Sequence, residues 1–338
     1  MTRTRTLSGV KPTGHLTLGN YLGALRRWAE EDQHRAESLF FVADLHALTV
    51  EHDPARVRRL SRQAAGLLLA TGLDPRVCTL FVQSHVDEHA RLSYLLGCVA
   101  TDGEMRRMIQ YKEKSARAQA AGQSVRLSLL TYPVLMAADI LAYGADEVPV
   151  GEDQTQHVEL TRDLAERFNQ RYGQAFVIPR ATRPAAAARV MDLQDPSTKM
   201  GKSHGATAGI VYLLDEPDVV TKKVMRAVTD SEAGVTYDRE ARPGLANLLE
   251  ILAACTGKEA AALAAGYDAA GAGFGVLKKD VAEAVVELLR PVRARHAELS
   301  ADPGYVDGVL REGAARARAV ARPTVDAAYR AVGLLPPA

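Results

Sequence analysis

Two lysines, Lys199 and Lys202, stand three positions apart in Lys199-Met200-Gly201-Lys202-Ser203, directly after the helix-poor Asp195-Pro196-Ser197-Thr198. Positioned cations on a loop with a glycine hinge suit a reacting phosphate, because they stabilise charge as it spreads onto a departing pyrophosphate. A solvated surface loop has the same composition, so spacing alone leaves both readings open. Far upstream, Pro12-Thr13-Gly14-His15-Leu16-Thr17-Leu18-Gly19-Asn20 joins an apolar strand to a helix. Glycine in such a turn permits close backbone approach to a phosphate.

A second constellation lies on one predicted helix. Tyr132, Met136, Asp139 and Tyr143 fall at i, i+4, i+7 and i+11 and so share a face. Their neighbours Val134, Leu135, Ala137, Ala138, Ile140 and Leu141 are apolar, which shields Asp139 and obliges it to find a donor or a positive partner. A structural ion pair meets that demand. So does a ligand N–H, with an aromatic ring and a thioether beside it. Next, Gly151-Glu152-Asp153-Gln154 follows the apolar Val148-Pro149-Val150. A glycine between a strand end and a helix start offers backbone N–H groups to a polar ligand. Glu152 and Asp153 suit the positive end of the helix dipole, and they suit ribose hydroxyls equally well. His46 follows another apolar strand; a lone histidine is more often structural, but a place on the carboxyl rim of a sheet favours a ligand role.

The elements that must hold these groups follow from the hydrophobic pattern. Ser38 to Ala43 and Thr79 to Gln83 read as buried strands covered on both faces, and Leu7 to Val10 and Glu147 to Val150 as short strands. Asn20 is placed to cap a helix running to about Glu31, and helical patterns span Arg56 to Ala70, Glu88 to Glu113, Leu127 to Tyr143 (interrupted by Pro133) and Gln154 to Phe168. Pro217 to Val228 and Pro243 to Arg330 are helical as well. This order predicts an α/β fold, a doubly wound parallel Rossmann-like sheet with a C-terminal helical domain. The expected division is a catalytic domain over 1–190 with inserted helices. Residues 191–338 would then carry the lysine loop and a helical region, with the chain end a candidate to pack back on the core.

Composition narrows the function classes. The chain has 338 residues, 47% hydrophobic and 25% charged, ordinary for a globular protein with a sizeable core. No run approaches the ~20 apolar residues of a membrane span, and the basic start Met1-Thr2-Arg3-Thr4-Arg5-Thr6 lacks the apolar segment of a secretory signal. Cys78, Cys98 and Cys255 fit neither a disulfide framework nor a metal spacing. A reduced, cytoplasmic protein without a structural metal or membrane partner is expected. The net charge of +1 neither supports nor excludes nucleic acid, since a local basic patch is what matters there.

Longer runs carry a resemblance. Leu130-Thr131-Tyr132-Pro133-Val134-Leu135-Met136-Ala137-Ala138-Asp139-Ile140-Leu141 and the stretch from Val148 to Asn169 are similar to segments of bacterial tryptophanyl-tRNA synthetases, as is Ala227-Val228-Thr229-Asp230-Ser231. The lysine loop and the upstream turn resemble the two ATP signatures of class I aminoacyl-tRNA synthetases. The likeness extends over roughly residues 6 to 333. It implies a homodimeric ligase that activates L-tryptophan with Mg²⁺-bound ATP and then esterifies tRNA(Trp), with an anticodon-binding role for the C-terminal helices. By position, Asp139 accepts the indole N–H, Met136 and His46 line its pocket, and Tyr132 and Gln154 hold the amino group. Lys11, Pro12, Thr13, Gly19, Asn20, Gly151, Glu152, Asp153 and Val190 contact ATP, and Lys199, Met200, Gly201, Lys202 and Ser203 close over its phosphates. Lys199, Lys202, Thr17 and Asn20 are the catalytic set.

Some positions depart from the family's pattern. Gly201 stands where serine is usual, Lys11 where glutamine is frequent, and Leu7 where phenylalanine is frequent. The sister tyrosyl enzymes need polar partners for a phenol, which the apolar run around Asp139 does not offer. A tRNA-independent nucleotidyltransferase has no use for the long helical C-terminal region. A silent RNA-binding paralogue fits poorly with two retained lysines.

Overall fold

Short apolar runs become strands where helices cover both faces, and one exposed run, Arg-Ala-Thr, joins them by pairing. In the computed structural model, which describes residues 4–151, 154–182, 189–201 and 207–335, these are β1 (Arg5–Val10), β2 (Glu37–Val42), β3 (Thr79–Val82), β4 (Glu147–Pro149) and β5 (Arg180–Thr182). Neighbours are parallel throughout, in the order β3-β2-β1-β4-β5. Chain order reverses between β1 and β4, and at such a switch point a crevice opens outside the strand ends. Alternation along each strand divides the side chains between two faces. Leu39, Phe41 and Phe81 join Leu7, Val134 and Phe168 on one face. Phe40, Val42, Leu80 and Val82 join Trp28, Leu67 and Leu68 on the other.

Helices α1 (Leu18–Asn20) and α2 (Gln33–Arg35) link β1 to β2, and α3 (Asp44–Ala47) and α4 (Pro54–Ala70) link β2 to β3. Between β3 and β4 lie α5 (Glu88–Gly97), α6 (Asp102–Arg107), α7 (Ile109–Ala120) and α8 (Leu127–Leu141), and α9 (Thr155–Tyr172) leads to β5. The C-terminal part is helical: α10 (Pro217–Met225), α11 (Pro243–Thr256), α12 (Ala260–Ala269), α13 (Phe274–Ala301) and α14 (Pro303–Ala331). Its apolar side is continuous with the sheet, since Leu248, Leu277, Leu289 and Val306 belong to the same buried cluster as Phe40 and Leu68.

Local chemistry moved several expected boundaries. The first helix is capped by Thr17, not Asn20. The Thr17 hydroxyl accepts from the Asn20 amide at 3.2 Å, and the Asn20 side chain accepts from the Thr17 amide at 3.1 Å, a reciprocal capping box. Beyond it the helix widens into π-turns at Tyr21–Leu25 and Trp28–Asp32. The expected helix from Glu88 to Glu113 is three helices, with a new start fixed by a Thr101–Glu104 capping box. Pro133 lies within α8 without interrupting it. Strand β5 had no apolar signature, and it pairs with β4 from Glu147↔Arg180 to Pro149↔Thr182.

At the edge of the sheet, β3 would expose unpaired backbone groups, a template for association with another chain. α14 covers that edge. Val306, Val309 and Leu310 enter the core on one face of the sheet, and Ala314, Ala317 and Ala321 enter it on the other. Where the helix crosses, Gly313 is so close that a Cβ would lie 1.7 Å from the Leu80 carbonyl oxygen. Arg316 donates to the carbonyls of Pro75 at 2.7 Å and Cys78 at 3.2 Å. In an open helix, Gly→Ala stabilises by about 1 kcal/mol. Gly313→Ala should instead destabilise by about 1–3 kcal/mol through overpacking. Urea unfolding reads the sign, and a more stable variant would contradict this crossing.

Candidate active site

The crevice at the switch point is a cavity of about 410 Å³ between the carboxyl ends of β1 and β4. That volume is in the range of small-molecule sites. Strand β1 delivers Lys11 to it, α3 delivers His46, and α8 delivers Tyr132, Met136 and Asp139 from one face. Gly151 and Gln154 close the side beyond β4. The residues between them, Glu152 and Asp153, lie outside the described residues, as do Lys202 and Ser203.

Asp139 anchors the cavity. It is 2% exposed, and it accepts at Oδ1 from Gln83 (2.7 Å) and from His89 Nδ1 (2.6 Å) and at Oδ2 from His46 Nε2 (2.8 Å). Behind it, the hydroxyl of Tyr143 is 2.8 Å from His89 Nε2. Burial, then the charges of Asp139 and Glu88, raise the Tyr143 phenol well above its usual value, so it keeps its proton. The chain of bonds runs from Tyr143 through both ring nitrogens of His89 to Asp139. Burial pushes the Asp139 carboxyl up, but the hydrogen bonds and charge of His46 and His89 outweigh it and hold the carboxyl at about 2. Asp139 is a permanent anion at neutral pH. A carboxylate accepts about four hydrogen bonds, and Oδ2, with one partner here, keeps room for another.

Other groups bring positive charge and planar surface. The Lys11 ammonium donates to Thr49 Oγ1 at 3.1 Å, and burial, then the neighbouring Lys114 cation, lower it from the ordinary 10.5 to about 8. Lys114 stands 5.3 Å over the Tyr132 ring and lines the same cavity. The Tyr132 hydroxyl is bonded to His157 Nε2 at 2.8 Å, and its ring meets His46 edge-on.

The two loops read as phosphate-binding lie against each other. The amide of Leu18 donates to the Val211 carbonyl at 2.8 Å, and Leu213 returns a bond to Leu16 at 3.0 Å. Beside them the lysine segment turns back on itself, with the Met200 amide donating to the Val190 carbonyl at 3.0 Å. A Cβ on Gly19 would lie 2.9 Å from the Met200 carbonyl oxygen, so only glycine lets the strands meet here. Thr17, Gly19, Val190 and Met200 are buried, Pro12 is buried beside Lys11, Asn20 and Gly201 are half-buried, and Thr13 and Lys199 are exposed. Lys199 and Thr13 do not line the cavity itself.

The family model described as tRNA synthetases class I (W and Y) matches residues 1–290. A protein of Streptomyces coelicolor named tryptophan–tRNA ligase 1 is 79% identical over 334 residues, 99% of this chain and 98% of that protein. The chain belongs to the bacterial tryptophanyl-tRNA synthetases. Solved members of the family share its fold. The Mycoplasma pneumoniae tryptophanyl-tRNA synthetase superposes with a TM-score of 0.88 at 36% identity, covering 99% of both chains. That of Campylobacter jejuni, in complex with ADP and tryptophan, gives 0.83 at 32% identity over 98% of this chain and 100% of that one.

Sequence reasoning missed the inner partners of Asp139 in this synthetase. Gln83 was seen only as the end of a strand, and it sits in the 3-10 turn Gln83–His85 that follows β3. His89 is wholly buried on α5, and its signal was a histidine in a segment otherwise read only for helical period. Lys114 was likewise hidden in a charged helix. Because the Asp139 carboxyl is lowered below its ordinary 3.8, the folded state binds fewer protons there than the unfolded state. The stabilisation, about 2 kcal/mol, is present above pH 4 and lost as pH falls through about 2. His89→Leu should cost about 3–5 kcal/mol at pH 7 by leaving a buried charge short of a donor. That deficit should shrink from pH 7 to pH 4 as the variant's carboxyl takes up a proton; a deficit independent of pH in urea unfolding would refute it.

Proposed function

We propose that this chain activates L-tryptophan with ATP to tryptophanyl-adenylate and pyrophosphate, then transfers the aminoacyl group to tRNA(Trp). The observation that carries the site assignment is the buried Asp139 anion in a cavity at the switch point. Its free acceptor position suits the indole N–H, with Met136 and His46 as walls and Tyr132 and Gln154 toward the amino group. A site that bonds a ligand N–H rejects analogues lacking it by about 10⁴–10⁵. Phenylalanine and tyrosine have no ring N–H and would leave Oδ2 desolvated.

In the first step, a tryptophan carboxylate oxygen attacks the α-phosphorus of ATP. The bond to the bridging oxygen breaks, and its electron pair leaves with pyrophosphate. Mg²⁺ enters as part of the ATP substrate. Lys11 would hold the carboxylate and α-phosphate together, and Gly19, with the capping box of Thr17 and Asn20, would admit the nucleotide to bare backbone. Pro12, Thr13, Gly151 and Val190, together with Glu152 and Asp153, complete that nucleotide set, and Lys199 to Ser203 would neutralise the leaving phosphates. In the second step a ribose hydroxyl of the tRNA attacks the acyl carbon and AMP departs. Residues 1–190 would supply the chemistry and 191–338 the lysine loop and the anticodon contacts. A homodimer is supported by exposed apolar side chains on α5, α7 and α8, namely Tyr94, Ile109 and Leu127. The described residues contain no helix long and apolar enough to cross a membrane, and a cytoplasmic setting suits a tRNA substrate.

Pyrophosphate exchange with each of the twenty amino acids tests this reading. Exchange with tryptophan alone is expected, and exchange with tyrosine instead would move the chain to the sister enzymes. Asp139→Asn should keep the fold and lower discrimination against phenylalanine by at least tenfold, since asparagine can turn a donor toward the indole. Unchanged discrimination would remove Asp139 from that role. Lys11 is charged below about pH 8 and neutral above it, so the KM for ATP should rise between pH 7 and pH 9. Lys11→Gln should flatten that rise; an identical profile in the variant would assign the titration elsewhere.

A further inference from the structure

The lysine segment must be held in place by something other than its own short hairpin. Its bonds are sparse: Met191 forms an isolated antiparallel bridge with Lys199, and Asp192 donates its amide to the Thr198 carbonyl at 2.9 Å. The Asp192 carboxylate accepts from the amides of Gln194 at 2.7 Å and Asp195 at 3.1 Å, which shapes the turn between the two arms. These contacts lie within the hairpin; outward bonds at its turn run from the Leu193 amide to the Gly209 carbonyl at 2.9 Å, from the Val228 amide to the Leu193 carbonyl at 2.8 Å and from Gln194 Nε2 to the Arg226 carbonyl at 2.8 Å.

The arm opposite Lys199 is attached at Met191 by one side chain from the C-terminal helices. Asn247, on α11, is 3% exposed. Its Oδ1 accepts from the Met191 amide at 2.9 Å, and its Nδ2 donates to the Met191 carbonyl at 3.0 Å. A backbone N–H only donates and a carbonyl only accepts, so the orientation of the carboxamide is dictated. The side chain thus acts as a one-residue strand paired with Met191 on the side away from Lys199. Around it, Val190 and Met200 share a buried cluster with Leu245, Leu248 and Leu249 of α11. Met200 in turn is the residue whose carbonyl oxygen closes on Gly19. A chain of direct contacts therefore runs from α11 through Asn247, Met191 and the Val190–Met200 bond to the nucleotide turn.

We propose that Asn247 is a positioning residue for adenylate formation, its carboxamide fixing the register of the 190–200 hairpin and thereby the place of Lys199 and Met200 beside the nucleotide. This rests on the synthetase reading above. The pairing needs one donor and one acceptor at a set reach. Aspartate keeps the acceptor but loses the donor and turns an anion toward the Met191 carbonyl; alanine loses both. Glutamine is one methylene too long.

The test compares Asn247→Ala and Asn247→Asp with the wild-type enzyme by single-turnover formation of tryptophanyl-adenylate, normalised to active sites. The rate constant should fall about 10–100-fold, the loss expected when positioning is relaxed by about 1 Å. The KM for tryptophan and the transfer rate from preformed adenylate to tRNA should stay within twofold. Relative to wild type at each pH, Asn247→Asp should recover between pH 8 and pH 6, because a protonated carboxyl regains the donor. Asn247→Ala should not recover. A rate constant per active site equal to wild type with only a lower melting temperature would overturn the proposal, and so would an equal loss in both half-reactions. Absence of tryptophan-dependent adenylate in the wild type would overturn the synthetase reading and this role with it, whereas wild-type activity with unaffected variants would overturn this role alone.

Discussion

A carboxylate buried among apolar side chains is the constraint around which this molecule is arranged. An unpaired charge in that position would be strongly destabilising, so donors must arrive from wherever the chain can send them. Gln83 comes from the end of β3, His89 from α5 and His46 from α3, and all three converge on a residue of α8. The network thereby ties two strands' ends to the helix that forms the cavity floor. Tyr143 extends it by one bond, to His89 Nε2. A packed apolar floor would have held the same elements together, and it would not have offered an anion with an open acceptor position to a ligand.

The sheet order makes that anion accessible. Reversal between β1 and β4 parts the covering helices at one point only, and Lys11, Asp139 and Gly151 reach that point from different elements. The turn at Gly19 is built on a different principle, close contact between main chains. Gly19 against Met200 is a meeting of two main chains, and the long core shared by Phe40, Leu68, Leu248 and Leu289 holds them in register. The buried anion and the close main-chain contact thus belong to separate parts of the fold.

The sequence made some of this legible and hid the rest for physical reasons. β2 and β3 declared themselves because a strand covered on both faces must be apolar throughout. The burial of Asp139 was readable from its helix, since every near neighbour is apolar. Its partners were not, because Gln83 and His89 lie 56 and 50 residues away and no local period encodes such a meeting. β5, reading Arg-Ala-Thr, is held by its neighbour and carries no apolar pattern of its own. Thr17 and Asn20 are both good caps, and only the reciprocal bonds decide which one occupies the cap position. Asn247 sits in a run of leucines, where a single carboxamide gives no hint of a backbone partner 56 residues upstream.

The closure of β3 by α14 has a temporal side. The strand leaves the ribosome early, while the helix that seals its edge follows roughly two hundred residues later. At the usual pace of synthesis that interval is on the order of 10–40 s. For that time the growing chain carries an open parallel edge, flanked by Phe81 and Leu80, in a crowded setting. Truncated chains ending before Pro303 would keep that edge permanently. α14 therefore acts late as well as structurally, because a chain without it has nothing to lay over the β3 edge.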